Sequence, residues 1–237
     1  VSGECSLRFC TDAVQAAREG LIDAVVTAPI SKASWKLADA PWPGHTEMLA
    51  DLCKSPRKAM MFIAGPLKMA LATIHEALFE IRHKFTIGCV FEPIDLLHIA
   101  LQDYFGIKNP RIAVAGLNPH AGEEGQFGDE EQRIIKPAIL LAQEAGIQCQ
   151  GPYPADTLFV RAAKGEFDGV VAMYHDQGLI PVKMLAFDEA VNVTIGLPIL
   201  RTSPAHGTAF DIAGKGIAKE NSMKQAIRWA VEMAKVR

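Results

Sequence analysis

RIAVAGLNPHAGEEGQFGDEEQRIIKPAILLAQEAG, residues 111–146, holds a strand, a polar loop and a helix in unbroken succession. RIAVAGL (111–117) is a short β-branched apolar run. NPHAGEEGQFG ends it in polar residues and glycines, and GDEEQRIIKPAILLAQEAG (128–146) has acids in its first turn, apolar residues at helical spacing and a closing glycine. The same alternation recurs along the chain, with strands expected at 22–28, 69–75, 111–117, 169–174 and 191–196 and helices between them and at 221–236. This is the signature of an α/β fold, a mostly parallel sheet covered by helices. In open sheets of this kind the ligand crevice lies at the carboxyl ends of the strands. Three of the expected strands run directly into histidines, at His75, His120 and His175.

Composition narrows the function classes. The chain has 237 residues, 49% hydrophobic and 22% charged, with a formal net charge of −3. Lys and Arg are scattered, so no electrostatic footprint for nucleic acid or a membrane surface is present. Five cysteines at irregular spacing, with no CxxC pair, read as reduced packing residues. No apolar run approaches the roughly 18 residues of a membrane span. A cytoplasmic location and a small-molecule partner are the expectations. The chain opens at Val1 and enters a complete helical pattern, CSLRFCTDAVQAAREG, at once; further sequence upstream is expected. APWPGHTE (40–47) is the most plausible hinge, dividing a lobe of residues 1–39 and 176–237 from a central lobe of 40–175.

His83 and His98 sit in charged or helical contexts and read as surface or packing residues. His75, His120 and His175 are far apart in sequence and each lies at or past a strand end, as a metal site assembled by the fold requires. Three neutral imidazoles with an open position suit a divalent ion; the other reading is three separately hydrogen-bonded histidines. In GHTE (44–47), His45 and Thr46 suit a phosphate or hydroxyl group, or a plain helix start. Lys183, Asn192 and Arg201 stand in otherwise apolar segments. They call either for an anionic ligand or for pairing with Asp176 or Asp188. HGTAFDIAGKGIA (206–218) places polar residues among glycines and suits a loop wrapped around a ligand or a simple turn.

GHTE, GLNPHAGEEGQFGDEE, PADTLF, AMYHDQGLIPVK and VNVTIGLPILRTSPAHGTA, in this order over nearly the whole chain, resemble the 4-hydroxythreonine-4-phosphate dehydrogenase family of vitamin B6 synthesis. The resemblance implies an isocitrate/isopropylmalate dehydrogenase-like fold of two lobes with a cleft, a homodimer sharing its active site, NAD, and a divalent metal such as Zn, Mg or Co. It implies metal binding by His75, His120 and His175, the last contributed by the partner subunit. It places His45, Thr46, Asp156, Lys183, Asn192 and Arg201 at the substrate, with Lys183 or Asp176 moving the proton. The 206–218 stretch is similar to the loop that holds the adenosine half of NAD in β-decarboxylating dehydrogenases, which assigns His206, Gly207, Asp211 and Gly214 to the cofactor. The Asp211 carboxylate would repel a 2′-phosphate and favour NAD over NADP.

The implied reaction is oxidation and decarboxylation of 4-hydroxythreonine 4-phosphate to 3-amino-2-oxopropyl phosphate. Relatives with the same motifs act on phosphorylated threonate or erythronate, or on dihydrodiols, and a metal-dependent hydrolase or lyase without NAD is the reading from another class. Two departures stand out. Nothing corresponds to the family's opening strand and glycine-rich loop, roughly its first quarter. ATIHEAL also replaces the usual TTHxPL around the first metal histidine.

Overall fold

The computed structural model describes residues 1–237. In chain order the elements are α1 (Ser2–Arg18), β1 (Ala24–Val26), α2 (Lys32–Leu37), α3 (His45–Leu52), β2 (Ala59–Ala64), β3 (Leu67–Leu71), α4 (Ile81–Lys84), α5 (Ile87–Phe105) and β4 (Ile112–Ala115). There follow α6 (Lys136–Glu144), β5 (Cys149–Tyr153), α7 (Ala155–Ala163), β6 (Gly169–Ala172), α8 (His175–Ala186), β7 (Val191–Ile195), β8 (Leu200–Pro204) and α9 (Asn221–Val236). All five expected strands form. β2, β5 and β8 were not anticipated: β5 (CQGPY) carries Gly and Pro inside it, and β8 (LRTSP) is short and polar. No single helix is long and apolar enough to cross a membrane.

Two compact units divide the chain, Val1–Lys58 with Asp188–Arg237, and Ala59–Phe187. The sequence expectation placed the breaks at 39/40 and 175/176 instead. The hinge motif APWPGHTE leads straight into α3, and Leu49, Ala50 and Cys53 of that helix region pack with Val14, Val25, Leu197 and Ile199 in the core of the first unit. Apolar burial therefore carries α3 into that unit.

In the first unit β8 lies between β1, parallel to it, and β7, antiparallel to it. In the second the order is β2-β3-β6-β4-β5, with β3, β6, β4 and β5 all parallel and β2 antiparallel to β3. The three central strands of this second unit are, apart from the half-buried Lys68 of β3, apolar and buried, as strands covered on both faces must be. Register shows which helix covers which face. Met69 pairs with Val170, so both point to one side of the sheet. A Cβ added to Gly178 of α8 would come within 2.5 Å of the Met69 methyl carbon, which places α8 on that side. Gly169, one residue from Val170, faces the other way, where an added Cβ would meet Leu101 and Leu97 of α5 at 2.8 and 2.9 Å.

Two local expectations need correction. The pattern at 128–146 is not one α-helix: it opens with a π-helical turn, Glu131–Ile135, before α6, and the first-turn acid Glu131 is buried. Asn221 does not cap α9; the cap position is Glu220 and no side chain caps the helix.

The close seating of α5 on β6 gives a stability test. Gly169→Val pushes a branched side chain into Leu97 and Leu101, an overpacking that costs about 1–3 kcal/mol. Thermal unfolding should show Tm lowered by about 2–4 °C per kcal/mol. An unchanged Tm would mean the helix is not packed as tightly as described.

Candidate functional site

β3, β6 and β4 are adjacent and parallel, so their carboxyl ends share one edge of the second unit's strands. His75 follows β3, His175 follows β6 at the start of α8, and His120 follows β4. The rings of His75 and His175 stand 5.8 Å apart, centroid to centroid. His175 Nδ1 is 2.7 Å from Asp176 Oδ1, a carboxylate–histidine pairing that fixes ring orientation. Side chains stitch the strand ends together. Thr73 Oγ1 donates to the Met173 carbonyl at 2.7 Å, joining the ends of β3 and β6. Gln177 accepts from Met173 N at 2.6 Å and donates to the Gly116 carbonyl at 2.8 Å, joining those of β6 and β4.

His120 sits in an unusual backbone. His120, Ala121, Glu123 and Glu124 all have positive φ, between 41° and 56°, and Gly122 lies among them at 81°. Each non-glycine residue in this left-handed region costs roughly 1–2 kcal/mol, and such strain persists only where its surroundings enforce it. The His120 ring packs against Phe127, centroids 6.0 Å apart. No three His, Cys, Asp or Glu side chains of the chain converge on one point that a metal could occupy. One chain thus brings His75 and His175 together and leaves His120, carried on its left-handed turn, outside the pair.

A second polar cluster lies inside the first unit. Arg201, in β8, is 3% exposed. Its Nε and Nη2 donate to Thr27 Oγ1 at 3.1 and 2.6 Å, and its Nη1 donates to Thr194 Oγ1 at 2.9 Å. These hydroxyls solvate the guanidinium without neutralising it. Burial lowers its pKa to about 10, leaving it cationic at neutral pH. Burial, followed by the charge of Arg201, lowers the His45 pKa to about 4, so His45 is neutral at physiological pH. Cys10 Sγ lies 3.5 Å from His45 Nε2, and burial raises its thiol pKa against the pull of Arg201. Thr46, next to His45 in the first turn of α3, is buried. The antiparallel register of β7 and β8 puts Asn192 opposite Ser203. Continued by two residues it sets Thr194 opposite Arg201, so Asn192 shares the guanidinium's face of the sheet. Asn192 Oδ1 is buried with no hydrogen-bond partner.

The remaining candidates are more open. Lys183 Nζ lies 5.3 Å from the Phe187 ring centroid, and Asp176 and Asp156 are exposed in the first turns of α8 and α7. His206, Gly207, Asp211 and Gly214 occupy the exposed connection between β8 and α9, with His206 Nδ1 2.9 Å from the Gly207 carbonyl. His45, Thr46, Asn192, Arg201 and this connection belong to the first unit; His75, His120, Asp156, His175, Asp176 and Lys183 belong to the second. Sequence reasoning missed Thr27, Thr194, Cys10, Thr73, Gln177 and Glu131. A signal existed for Thr194, which stands two residues after Asn192 in a strand and so shares its face. None existed for Thr27, which reads as an ordinary strand-end threonine.

Comparison with known proteins shows the family. Residues 1–230 match the family model of the pyridoxal phosphate biosynthetic protein PdxA. The 4-hydroxythreonine-4-phosphate dehydrogenase of Geobacter metallireducens is 52% identical over 236 residues, covering 100% of this chain and 69% of the relative. A D-threonate 4-phosphate dehydrogenase of Cupriavidus necator is 48% identical, covering 99% of this chain and 70% of its own length. The crystal structure of 4-hydroxythreonine-4-phosphate dehydrogenase from Klebsiella pneumoniae matches with a TM-score of 0.91 at 44% identity, covering 98% of this chain and 71% of that one. Isocitrate dehydrogenase from Methylococcus capsulatus, at 13% identity and a TM-score of 0.52, shares the fold alone and covers 98% of this chain and 80% of that one. The fold is therefore the isocitrate dehydrogenase-like α/β fold expected from the sequence, and the chain belongs to the PdxA family of pyridoxal phosphate biosynthetic proteins.

Proposed function

We propose that the chain oxidises and decarboxylates 4-hydroxythreonine 4-phosphate to 3-amino-2-oxopropyl phosphate, with NAD as hydride acceptor and a divalent metal, in a homodimer. The observation that carries this reading is the buried Arg201 guanidinium, hydrogen-bonded only to hydroxyls. A buried cation without a counter-charge is costly, and an anionic ligand offsets that cost. A phosphate oxygen bound by Arg201, with neutral His45 and Thr46 at the start of α3, meets a cation, a helix N-terminus and polar side chains together. Asn192 Oδ1, an orphaned acceptor, suits a hydroxyl or ammonium donor of the same substrate. Binding energy is thereby supplied away from the reacting carbon.

His75, His120 and His175 would hold the metal. Imidazole donors suit Zn and its neighbours, and the pair His75–His175 supplies two of them. The resemblance assigns His175 to a partner subunit; within one chain it is His75 and His175 that stand together, so the imidazole left for a second subunit to complete the set with is that of His120. When bound, such an ion polarises a hydroxyl or carbonyl oxygen. Asp176 is engaged with the His175 ring, so the substrate hydroxyl proton is assigned to Lys183. Asp156 is assigned to the substrate. His206, Gly207, Asp211 and Gly214 would wrap the adenosine half of NAD, with Asp211 accepting from its ribose hydroxyls. A second reading, a phosphorylated threonate as substrate, is favoured by the Cupriavidus necator relative; turnover of the two substrates measured side by side separates them.

Arg201→Met tests the reading. Losing a buried charged hydrogen bond costs about 2–5 kcal/mol of binding, so KM for the phosphorylated substrate should rise roughly 30-fold or more. The free variant should melt at or above the wild-type temperature, because an apolar group replaces an unpaired buried charge. Phosphate at about 100 times its Kd should stabilise the wild type by about 2.7 kcal/mol and leave the variant unmoved. A variant that loses stability and keeps its KM would contradict the assignment.

His45 sets a pH dependence. Its folded pKa, about 4, lies below the unfolded imidazole value of about 6.5. Between these values the unfolded chain binds more protons. The contribution is therefore present above pH 6.5 and lost as pH falls towards 4. Denaturant titrations at several pH values should show this acid limb in the wild type and a flatter one in His45→Gln; equal slopes would remove the effect.

A further inference from the structure

The left-handed turn at His120 raises a physical question: four non-glycine residues in a disfavoured conformation need something to hold them there. The side chain that meets this turn is Glu131, which is 1% exposed. Its Oε1 accepts from the backbone N–H of Leu117 at 2.8 Å and of Asn118 at 2.7 Å, and its Oε2 accepts from Asn118 Nδ2 at 3.0 Å. The turn also closes directly on the carboxylate, since a Cβ added to Gly122 would sit 2.6 Å from Oε2. A buried carboxylate carries a desolvation cost, which charge-assisted bonds to backbone donors offset. Glu131 opens the π-helical turn Glu131–Ile135, a geometry that concentrates at functional sites.

The geometry assigns Glu131 to hold the left-handed turn that presents His120, as a positioning residue for metal binding. The assignment rests on the reading of His120 as a metal ligand. Glu131 itself reaches neither metal nor substrate in this role. It anchors the residues on the strand side of His120 by hydrogen bonds and packs against Gly122 on the far side, so the imidazole's place is set from both directions. Metal ligands depend on such outer partners, whose removal typically weakens binding about 10–100-fold.

The test uses the full chain as wild type, Glu131→Gln, Glu131→Ala and His120→Ala. Glu131→Gln keeps the volume but sets an amide N–H against Asn118 Nδ2. It should melt close to the wild type, while amide hydrogen exchange across 117–127 rises about tenfold or more and α6 stays protected. Its zinc Kd by titration calorimetry should rise about 10–100-fold, and the visible absorption of the cobalt(II)-loaded protein should change shape. Glu131→Ala should go further; if it does not fold, Glu131→Gln decides. Unchanged exchange at 117–127 in Glu131→Gln would overturn the proposal. So would a loosened turn with unaltered zinc affinity when His120→Ala has lost it. Zinc affinity unaltered in His120→Ala would instead sink the ligand reading of His120, and loosened exchange in Glu131→Gln would still establish its hold on the turn.

Discussion

Parallel pairing of β3, β6 and β4 is the constraint on which the candidate metal centre depends. Parallel strands must all end at one edge, and each must be followed by a crossover, so three loops leave that edge side by side. Apart from Lys68, the strands satisfy the arrangement by being apolar on both faces, with Gly169 admitting α5 on one side and Gly178 admitting α8 on the other. The polar chemistry is thereby excluded from the strands and collected at their ends, where His75, His120 and His175 follow. Hydrogen bonds from Thr73 and Gln177 then lock neighbouring strand ends to each other. A rigid edge with a short, strained turn attached is how a scaffold fixes ligands taken from distant parts of the sequence.

The first unit solves a different problem. Arg201 is held in place by Thr27 and Thr194, which satisfy its donors but not its charge. Burial, reinforced by the same field, keeps His45 neutral. In the proposed reading this is a preorganised site for an anion, built at the expense of the stability of the free protein, as functional sites commonly are. Asn192 adds an acceptor with no internal partner. These groups come from the residue just past β1, from β7, from β8 and from α3, so the cluster is a property of the folded unit rather than of any local motif.

Much of this was legible in the residues. Five strands could be read from β-branched runs, and three of them pointed to histidines because each run stops abruptly at a polar residue. The family resemblance rested on motifs long enough to hold their order over the whole chain, and it led to the right fold. What stayed hidden has physical reasons. β5 and β8 carry proline, glycine or polar residues that local propensity assigns to loops, and only pairing with neighbours makes them strands. The two compact units divide at other positions than the Pro-Gly motif suggests, because such a motif marks a local turn, whereas apolar burial decides which core α3 joins. Glu131 read simply as one of the acids in a helix's first turn, since no periodicity announces a π-helical turn or a carboxylate directed at the chain's own backbone.

The proposal of a metal-assisted NAD-dependent dehydrogenase, with histidines following three strands at one sheet edge, is tested most directly by NADH formation. The full chain is given 4-hydroxythreonine 4-phosphate, NAD and added zinc, beside His120→Ala under the same conditions. Zinc-dependent NADH formation by the wild type, lost in the variant, is the expected result. Turnover that ignores zinc, turnover undiminished in His120→Ala, or no NADH from the wild type at all would contradict it.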